Sequence, residues 1–526
     1  MGFVDSVIAL FSPRRAAERM AWRSALEEMK NYDAGGFGRL NAGWRVSNYS
    51  AEATDRTSRD WVRARARDLE RNSDIMNSVL GAYKRNVIGG GFQIQVKTED
   101  AELNKELEKL WKRWCKARNC DVTGQQSLNQ MLRMAVVRKK VDGGVLFLKR
   151  YTRDGMLPFS IQMIEVDELD TMQTNAAGPG NRVIGGIEYN SYNRPVGYWI
   201  RQYDIDGFSI TDPIYVKADD VIFYYTKKRP SQIREMSDMA PTVTRIRDVN
   251  EFMTAVSVKQ RIEACLSVFI KKQYPVSGIG RTSSPENRFS YDGKTLTPGM
   301  IHEMNQGDDI EVVNPTGQSA DATSFVKLQQ RLVGAGQGLS YEATSRDMSE
   351  TNYASARQGA IEDEMTFMEE KEQVIAILDE IYETFVISCV LTGIVQIPAD
   401  KFWTNKEDYL THEWIQPPKK WIDPQKESGA LKTAMNTGVK TYKQIAAENG
   451  TDWRTQIDDI SEVLEYAKEK GIDMSGIMFG GTKIEESEVS ESAEQTDQET
   501  EPGEDPGEGD GNAEETGEGQ SDEGAD

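Results

Sequence analysis

The stretch APTVTRIRDVNEFMTAVSVKQRIEACLSVFIKK, residues 240–272, has the pattern of a single continuous helix. Apolar side chains recur in it every three or four positions, and this spacing predicts one long helix with a single apolar stripe. Pro241 stands near the first turn, where proline is tolerated because the N–H groups of that turn have no helical partner. No glycine ends the pattern, which runs directly into YPVSGIG. The predicted stripe consists of Ile246, Val249, Met253, Val256, Ile262 and Phe269.

A second helix is predicted from DATSFVKLQQRLVGAGQGL, which starts with Asp321 as a cap and ends in glycines. The residues between the two helices are small, polar and rich in turn formers, with short strand-like pieces such as DIEVVN. The sequence therefore predicts a compact insert between two helices.

The region before these helices alternates between helical and strand patterns. DRTSRDWVRARARDLERNSDIMNSVLGAYKRNVIGGG predicts one or two helices that end at three glycines. Further helices are predicted over about 101–116 and within SLNQMLRMAVVRKKVDGG, and strands over FQIQVK, VLFLKR and IQMIEVDELDTM. VIGGIEYNSYNRPVGYWIR predicts a hairpin with its turn at Asn193–Gly197, and VKADDVIFYY predicts one more strand. Together these elements predict an α+β domain.

Three arginines of the first helical stretch, Arg63, Arg65 and Arg67, have the charge needed to contact phosphate. Acidic residues interleave with them, however, and such alternation is typical of a solvated or subunit-contacting helix face. The pattern therefore favours a solvated or subunit-contacting face over contact with phosphate.

The polar stretch SETNYASARQG, residues 349–359, precedes the strongly amphipathic AIEDEMTFMEEKEQVIAILDEIYETFVISCVLTG. Its small residues fit an ordinary loop and helix cap, and they also fit a functional polar surface. A segment rich in Trp and Pro follows, and a last helical unit is predicted over about 427–470.

The charge of the chain is concentrated at its C-terminal end. The formal net charge is −22, yet residues 484–526 carry eighteen Asp and Glu and no Lys or Arg. The rest of the chain is therefore near neutral, which is not the basic footprint of a protein that grips phosphates. The acidic, Gly-rich end cannot bury a core and is predicted to be disordered.

The sequence gives no positive indication of catalysis. With only two histidines, His302 and His412, the chain has no room for a multi-histidine metal site or for most histidine-based triads, and the four cysteines match no common zinc spacing. DGKT lacks the earlier glycine of a phosphate-binding loop, where Arg288 stands instead. No catalytic residue, cofactor or metal is therefore predicted. Reduced thiols, the absence of a secretory signal pattern and the lack of a long apolar run predict a soluble protein made in a cytoplasm.

Several fragments, in this order, resemble the portal proteins of tailed bacteriophages, specifically the lambda-like family. They span about residues 55–430, and their order and spacing make the match specific, although none is a chemical motif. The fragments are DRTSRDWVRARARDLERNSDIMNSVLGAYKRNVIGGG, IQMIEVDELDTM, VGYWIR, VKADDVIFYYTKKRPSQIREMSDMAP, VKQRIEACLSVFIKK, LTPGMIHEMNQGDDIEVVNP, YEATSRDMSETNYASARQG and KKWIDPQKESGA.

The resemblance implies a head-to-tail connector: a homo-oligomeric ring, typically of about twelve subunits, at one capsid vertex of the virion. Viral DNA is packaged through its channel by the terminase and later ejected. The implied partners are the terminase large subunit, the major capsid protein, head completion or tail connector proteins and the double-stranded DNA in transit, with no membrane. The ring would be assembled in the host bacterial cytoplasm and would not itself be an enzyme.

The resemblance also implies a portal fold and a division of the chain. The expected parts are an N-terminal arm (1–54), an α+β wing (55–240), stem helix 1 (241–272), a clip insert (273–317), stem helix 2 (318–339), a tunnel loop (340–354), a long helix (355–395), a wing return and helical crown (396–482) and a disordered acidic tail (483–526).

In this architecture the tunnel loop faces DNA, and small polar residues suit a lining along which a duplex must slide. Arg346 and Arg357 are candidate weak contacts, or alternatively partners of Asp347 or Glu350 in salt bridges between subunits. The channel residues expected from the resemblance are Ser345, Arg346, Ser349, Asn352 and Arg357 in the loop, and Lys327 and Arg331 on the stem.

Two other classes compete with this interpretation. A capsid-associated protease or nuclease would need a nucleophile with a base, or a metal cluster, and the sequence predicts neither. An adaptor or scaffolding protein without a DNA channel is the nearer alternative, but adaptors are usually shorter and scaffolds lack a β-rich region such as residues 161–225.

Overall fold

The computed structural model describes residues 14, 48–204, 206–207, 210–264, 268–272, 308–312, 319–349, 351–418, 423–472 and 474. Most of the predicted arm, most of the predicted clip and the acidic tail lie outside the described residues. The chain divides into two compact units, residues 1–457 and 458–526.

The first helical stretch forms two main helices, as predicted, because Ser73 interrupts it. Ser73 is extended, and its hydroxyl accepts the N–H of Met76 at 3.4 Å, so it caps the second helix. That helix continues as one π-helical turn, Lys84–Ile88, which the glycines end. The helices are α1 (Ala51–Asp55), α2 (Arg59–Asn72) and α3 (Asp74–Tyr83).

Next comes an α/β segment whose helix ends carry the expected caps. Asp100 accepts the N–H groups of Glu102 and Leu103, and Gly143 ends a helix with a left-handed φ of 94°. The elements are β1 (Gln93–Val96), α4 (Ala101–Trp114), α5 (Ala117–Cys120), α6 (Leu128–Asp142), β2 (Gly144–Arg150) and β3 (Ser160–Ile164).

Two antiparallel sheets follow, ordered β3-β2-β8 and β4-β5-β6-β7. The predicted hairpin is confirmed as β5–β6, but its turn ends earlier than predicted: Asn193 has a φ of 60° in the turn, whereas Pro195 to Gly197 already belong to β6. The prediction of one strand over VKADDVIFYY is wrong, because a 3₁₀ turn at Ala218–Asp220 divides it into two strands of different sheets. The new strands are β4 (Arg182–Ile184), β5 (Ile187–Tyr189), β6 (Pro195–Ile200), β7 (Ile214–Lys217) and β8 (Val221–Tyr225).

Residues 240–272 contain α7 (Val243–Ala264) and then β9 (Val268–Lys272). The prediction of one helix to residue 272 is therefore wrong at its end. β9 pairs antiparallel with β10 (Asp308–Val312), and the β-branched and aromatic residues of β9 favour a strand there. The second helix, α8 (Ser319–Gly336), starts two residues before the predicted cap, which lies inside it.

The C-terminal part of the first unit returns to β1, since β11 pairs antiparallel with β1 from Gln93↔Ile415 to Val96↔His412. The last predicted helical unit consists of three helices. The elements are α9 (Tyr341–Ser345), α10 (Tyr353–Leu391), α11 (Ala399–Thr404), α12 (Lys406–Leu410), β11 (His412–Ile415), α13 (Pro424–Asn436), α14 (Tyr442–Glu448) and α15 (Trp453–Glu469), of which the last crosses the boundary between units.

The main core lies between α4, α6 and the C-terminal half of α10. Trp111 packs edge-on against Phe385 and Tyr382 and stacks with Trp114 at 5.2 Å. Each of these aromatic side chains is buried, and burying one contributes roughly 1.5–3 kcal/mol. The described cysteines, Cys115, Cys120 and Cys389, are free thiols, as expected.

Two of the three arginines on α2 do not face solvent. Arg63 is buried and forms salt bridges with Asp167 at 2.8 Å and with Glu235 at 3.3 Å. Arg67 pairs with Asp142 at 2.6 Å. The predicted solvated face is therefore wrong for Arg63 and Arg67, whose partners are distant in sequence, and it holds for Arg65, which is exposed.

Candidate functional site

The candidate site begins where α8 ends and the chain reverses direction. Leu339 donates its N–H to the carbonyl oxygen of Gly334 at 2.9 Å, and Gly338 adopts a left-handed φ of 67°. A Cβ at Gly334 would lie 2.6 Å from the carbonyl oxygen of Leu339, so only glycine permits this approach. The tight reversal brings the next residues back toward the main body.

Gln337 links this reversal to the start of α7. Its side-chain amide donates to the carbonyl oxygen of Asp238 and to the hydroxyl of Thr242, both at 3.2 Å. Its own carbonyl oxygen accepts the hydroxyl of Tyr83 on α3. The start of α7, the end of α8 and the end of α3 therefore meet at Gln337, which is buried.

Ser340 anchors the following segment to α10. Its N–H and its hydroxyl donate to the two carboxylate oxygens of Asp363 at 2.6 and 2.7 Å. The same hydroxyl accepts the N–H of Ala343 at 3.2 Å and caps the short helix α9. Burial raises the pKa of Asp363, and the two hydrogen bonds from Ser340 oppose that shift.

After α9 the chain makes a polar turn. Arg346 has a left-handed φ of 59°, and its N–H closes α9 on the carbonyl oxygen of Glu342 at 2.9 Å. The hydroxyl of Ser345 accepts the N–H of Asp347, and Ser349 donates its hydroxyl to the Asp347 carboxylate at 2.6 Å. The hydrogen bonds from Ser349 lower the pKa of Asp347, so this carboxylate stays ionised at neutral pH.

Asn352 caps the long helix α10. Its side-chain oxygen accepts the N–H of Ser355 at 2.9 Å, and the helix starts at Tyr353, two residues before the predicted start. The cap interpretation of SETNYASARQG is therefore confirmed for Asn352. Ser349 and Arg357 are exposed and are not part of that cap, so the alternative, a functional polar surface, stays a prediction for them.

The predicted stem cations lie near this segment. Lys327 is half-buried, and its charge contributes to the low pKa of Asp347. The guanidinium of Arg331 lies 5.4 Å from the ring centre of Tyr341, a cation–π geometry. Burial and the charge of nearby Arg346 lower the pKa of Arg85 on the π turn. The segment thus collects positive charge on its exposed side.

The seven predicted residues form two groups. Lys327, Arg331, Ser345, Arg346 and Ser349 surround α9 and the turn after it, whereas Asn352 and Arg357 lie at the start of α10. Arg357 is exposed and has no ion-pair partner among the described residues.

Gln337 and Asp363, which hold this segment in place, were missed by the sequence analysis. A signal for the first was present, because glycines 334, 336 and 338 flank Gln337 and indicate a close approach of two chains. Nothing in the sequence pairs Asp363 with Ser340.

The described residues contain no group of three or more His, Cys, Asp or Glu side chains arranged to hold a metal ion. Within the same ranges, no helix has both the length and the apolar character needed to cross a bilayer.

Comparison with known proteins finds sequence similarity over most of the chain. The family described as "Phage portal protein, lambda family" matches residues 37–371. A "Probable portal protein" of Halomonas phage phiHAP-1 is 26% identical over 451 residues, which cover 82% of this chain and 86% of that protein. "Portal protein B" of Escherichia phage lambda is 19% identical over 472 residues, 82% and 89% of the two chains.

Among solved structures, the chain is similar to one in "Neck of empty GTA particle computed with C6 symmetry", with a TM-score of 0.45 and 12% identity over 73% of this chain and 93% of that one. A chain in "Neck of native GTA particle computed with C12 symmetry" gives a TM-score of 0.43, again with 12% identity, over 79% and 99%.

Proposed function

Because the chain belongs to the lambda family of phage portal proteins, we propose that it forms the portal ring at one capsid vertex, through which the terminase packages DNA and from which DNA is later ejected. The protein contributes a shaped channel and docking surfaces, and the terminase supplies the chemistry. The proposed partners are other copies of this chain, the terminase large subunit, the major capsid protein and head completion or tail connector proteins.

The observation that carries the ring is the exposed apolar surface of the α7–α8 hairpin. The two helices pack on each other through Phe252 and Phe325, whose ring centres are 4.6 Å apart, and through a 2.8 Å hydrogen bond from Arg245 to Gln329. Between residues 251 and 261, none of the α7 side chains is fully buried. The α7–α8 pair thus exposes several large apolar side chains: Met253, Val258, Phe325, Leu328 and Leu332.

Phe325, Leu328 and Leu332 follow one another at spacings of three and four, so they share one face of α8. Leu328 is 54% exposed and Leu332 is 41% exposed. Covering such side chains with a neighbouring subunit contributes about 25 cal/mol per Å² of apolar area. Head-to-tail contacts of this kind close into a ring when the rotation between subunits allows it.

Residues 340–354 form the proposed channel-facing segment, with Ser345, Arg346, Ser349, Asn352 and Arg357 toward DNA. Its anchors to α10 and to the stem hold it in position, and its polar surface carries only a few cations. A few phosphate contacts give weak, salt-sensitive attraction, which lets a duplex move. The insert between α7 and α8 is the proposed docking site of the terminase.

The decisive experiment replaces Leu328 and Leu332 by aspartate. We expect the double variant to keep its circular dichroism spectrum but to lose the ring in native mass spectrometry, because charges at a buried contact are costly. A matched control, Thr323→Asp with Ser324→Asp, places the same charge on exposed polar positions of α8 and should assemble normally.

Rings formed equally well by both double variants would refute the stem contact. Negative-stain images of the wild type that show a compact oligomer without a channel would favour the adaptor or scaffolding alternative.

A further inference from the structure

We propose that a basic patch at the junction of α4 and α5 is a second binding site for duplex DNA, separate from the proposed channel segment. The site would hold the phosphate backbone without reading the base sequence. It rests on the proposed portal function, since that function brings duplex DNA to the protein. The patch is defined by five exposed cations: Lys112, Arg113, Lys116, Arg118 and Arg153.

The patch begins on the solvent side of a helix whose other side lies in the core. Trp111 and Trp114 of α4 are buried, whereas Lys112 and Arg113, which stand between them, are exposed. Lys116 and Arg118 follow within five residues and extend the positive surface past the end of α4 into α5.

Arg153 comes from a neighbouring loop. The N–H of Met156 donates to the side-chain oxygen of Asn119 at 3.3 Å. A Cβ at Gly155 would lie 3.2 Å from the carbonyl oxygen of the same Asn119. The loop that carries Arg153 therefore packs against α5 and adds a fifth cation beside Arg118.

The five cations differ from others in the molecule because they are unpaired. Among the residues that the structure describes, none of the five takes part in a salt bridge or a side-chain hydrogen bond. By contrast, Lys139 and Lys140 on α6 both pair with Glu370, and Arg138 pairs with Glu70. A ligand can therefore bind the patch without breaking an internal ion pair.

Carboxylates do little to neutralise the patch. Residues 109–120 contain no Asp or Glu. The next acid, Asp121, is buried, and its carboxylate accepts the N–H groups of Thr123, Gln125 and Gln126. Asp154 is exposed beside Arg153 and opposes only part of the charge. Cations concentrated in this way attract a polyanion even though the rest of the body is near neutral.

Helix stability does not account for the whole patch. The helix dipole favours Lys112 and Arg113, because they stand in the last turn of α4. Lys116 and Arg118 stand instead at the start of α5, where the positive end of the dipole disfavours a cation. These two cations therefore weaken their own helix, which is consistent with a role in binding.

The chemistry of the patch fits duplex DNA better than other polyanions. Residues 109–118 expose no large apolar side chain that could enter a bilayer. Single-stranded nucleic acid is held by a series of aromatic rings, but Trp111 and Trp114 are buried and Tyr151, near Arg153, is a single exposed ring. A duplex presents a dense row of phosphates, which cations alone can bind.

The patch is distant from the proposed channel segment. Trp111 and Trp114 pack on Phe385 of α10, with ring centres 5.1 and 5.6 Å apart. The channel segment is anchored at Asp363 of the same helix. At 1.5 Å per residue, Asp363 and Phe385 are roughly 33 Å apart along α10. A duplex on the patch is therefore bound at a different place from one that passes residues 340–354.

The test uses a covalently closed circular duplex, which cannot thread through a ring that has already closed. Protein is assembled first, its oligomeric state is read by native mass spectrometry, and binding of the circle is then measured at several salt concentrations. In Lys112→Gln with Arg113→Gln and Lys116→Gln, affinity at low salt should fall about tenfold or more. The slope of log affinity against log salt should become shallower by about 2 to 3, because each lost phosphate contact removes about 0.9.

A matched control separates the patch from a general charge effect. Arg194→Gln with Lys217→Gln and Lys227→Gln removes the same charge at exposed positions elsewhere and should bind the circle as the wild type does. Asp154→Asn removes the opposing carboxylate and should strengthen binding about twofold, the opposite direction. All variants should keep the circular dichroism spectrum of the wild type, because the replaced side chains are exposed.

Equal affinity and equal salt dependence in the wild type and the patch variant, or an equal loss in the control variant, would overturn the proposal. Poly-glutamate that displaced the circle as well as linear duplex does, at the same concentration of charge, would assign the patch to an acidic protein instead. Monomers carry the same patch, so binding of the circle can be read without a ring. Failure of the proposed assembly would therefore be recognised separately, in the native mass spectrum.

Discussion

Glu235 and Arg234, which are neighbours in sequence, form a 2.7 Å salt bridge from which solvent is almost entirely excluded. Arg63 of α2 adds a second contact to the same carboxylate at 3.3 Å, and Arg59 donates to the carbonyl oxygen of Glu235 at 2.9 Å. Arg234 also donates to the carbonyl oxygens of Gly185 and Val166. The residues just before α7 are therefore fixed to α2 and to the β region by one buried charge cluster.

Replacing Glu235 by glutamine should lower the free energy of unfolding by about 3–5 kcal/mol at pH 7, because it leaves buried arginines without their counter-charge. The matched control is Glu251→Gln, whose salt bridge with Arg247 is exposed on both sides. That control should change stability by less than about 1 kcal/mol. Urea unfolding of both variants checks the difference.

The same pair predicts a pH dependence. Burial alone would raise the pKa of Glu235, but Arg234, Arg63 and Arg59 lower it below its ordinary value of 4.5. The folded state therefore holds this proton less tightly than the unfolded state, so the stabilisation is present above pH 4.5 and is lost as the pH falls through the folded pKa. The stability gap between wild type and Glu235→Gln should accordingly narrow below pH 4.5, and a gap that widened there would contradict the assignment.

Local features of this cluster and of the fold were predictable from sequence, whereas its distant partners were not. Ser73, Asp100 and Gly143 act within a few residues of themselves, so they indicate helix ends directly. Arg63 and Glu235 are 172 residues apart, and only the fold brings them together. Arg63 also pairs with Asp60, three residues before it, at 3.0 Å, and because such interleaved charges are typical of an exposed helix face, the local sequence did not indicate that Arg63 is buried.

The two errors in secondary structure have a common cause. VKADDVIFYY and the end of residues 240–272 both contain β-branched and aromatic runs, which fit a strand, a helix or a core equally well over short lengths. In both places the conformation depends on a strand partner elsewhere in the chain, because β8 pairs with β2 and β9 pairs with β10. In the candidate site, the caps of SETNYASARQG were predictable, but the anchor at Asp363 depends on a long-range contact.

Removing that anchor should release the proposed channel segment without unfolding the protein. In Asp363→Ala the N–H and hydroxyl of Ser340 lose their acceptor, at a cost of about 1–3 kcal/mol. Amide hydrogen exchange over residues 340–349 should become faster, while exchange in the core of α10 stays slow. Glu362→Ala, the control, removes an exposed neighbouring carboxylate and should leave the segment unchanged. Unaltered exchange in Asp363→Ala would mean that other contacts hold the segment.

Gln337, which is buried, should contribute more to stability than the half-buried Gln329. Gln337→Leu keeps the volume but leaves the carbonyl oxygen of Asp238 and the hydroxyl of Thr242 without their donor, so we expect a loss of about 1–3 kcal/mol. Gln329→Leu on α8 removes only a partly buried hydrogen bond from Arg245 and should cost less. Urea unfolding ranks the two, and equal losses would argue against a special role for the junction.

The last prediction concerns the channel itself, and the structure dictates which positions can test it. Lysine at Asn352 would remove the cap of α10, which is worth about 1 kcal/mol, and lysine at Ser349 would be neutralised by Asp347 next to it. Met348 and Ala354 are exposed and have neither role. Met348→Lys with Ala354→Lys should keep the ring, steepen the salt dependence of DNA binding and slow DNA transit, because every subunit adds phosphate contacts.

Glutamine at the same two positions is the neutral control and should transport DNA as the wild type does. A segment buried between subunits would instead bury unpaired lysines at a cost of several kcal/mol, and the ring would be lost. Size-exclusion chromatography followed by DNA binding at several salt concentrations separates the two. Loss of the ring would reject the channel assignment. An intact ring would reject it too if its DNA binding had the same salt dependence as the glutamine control, because a lining that faces a duplex cannot gain positive charge without attracting phosphate more strongly.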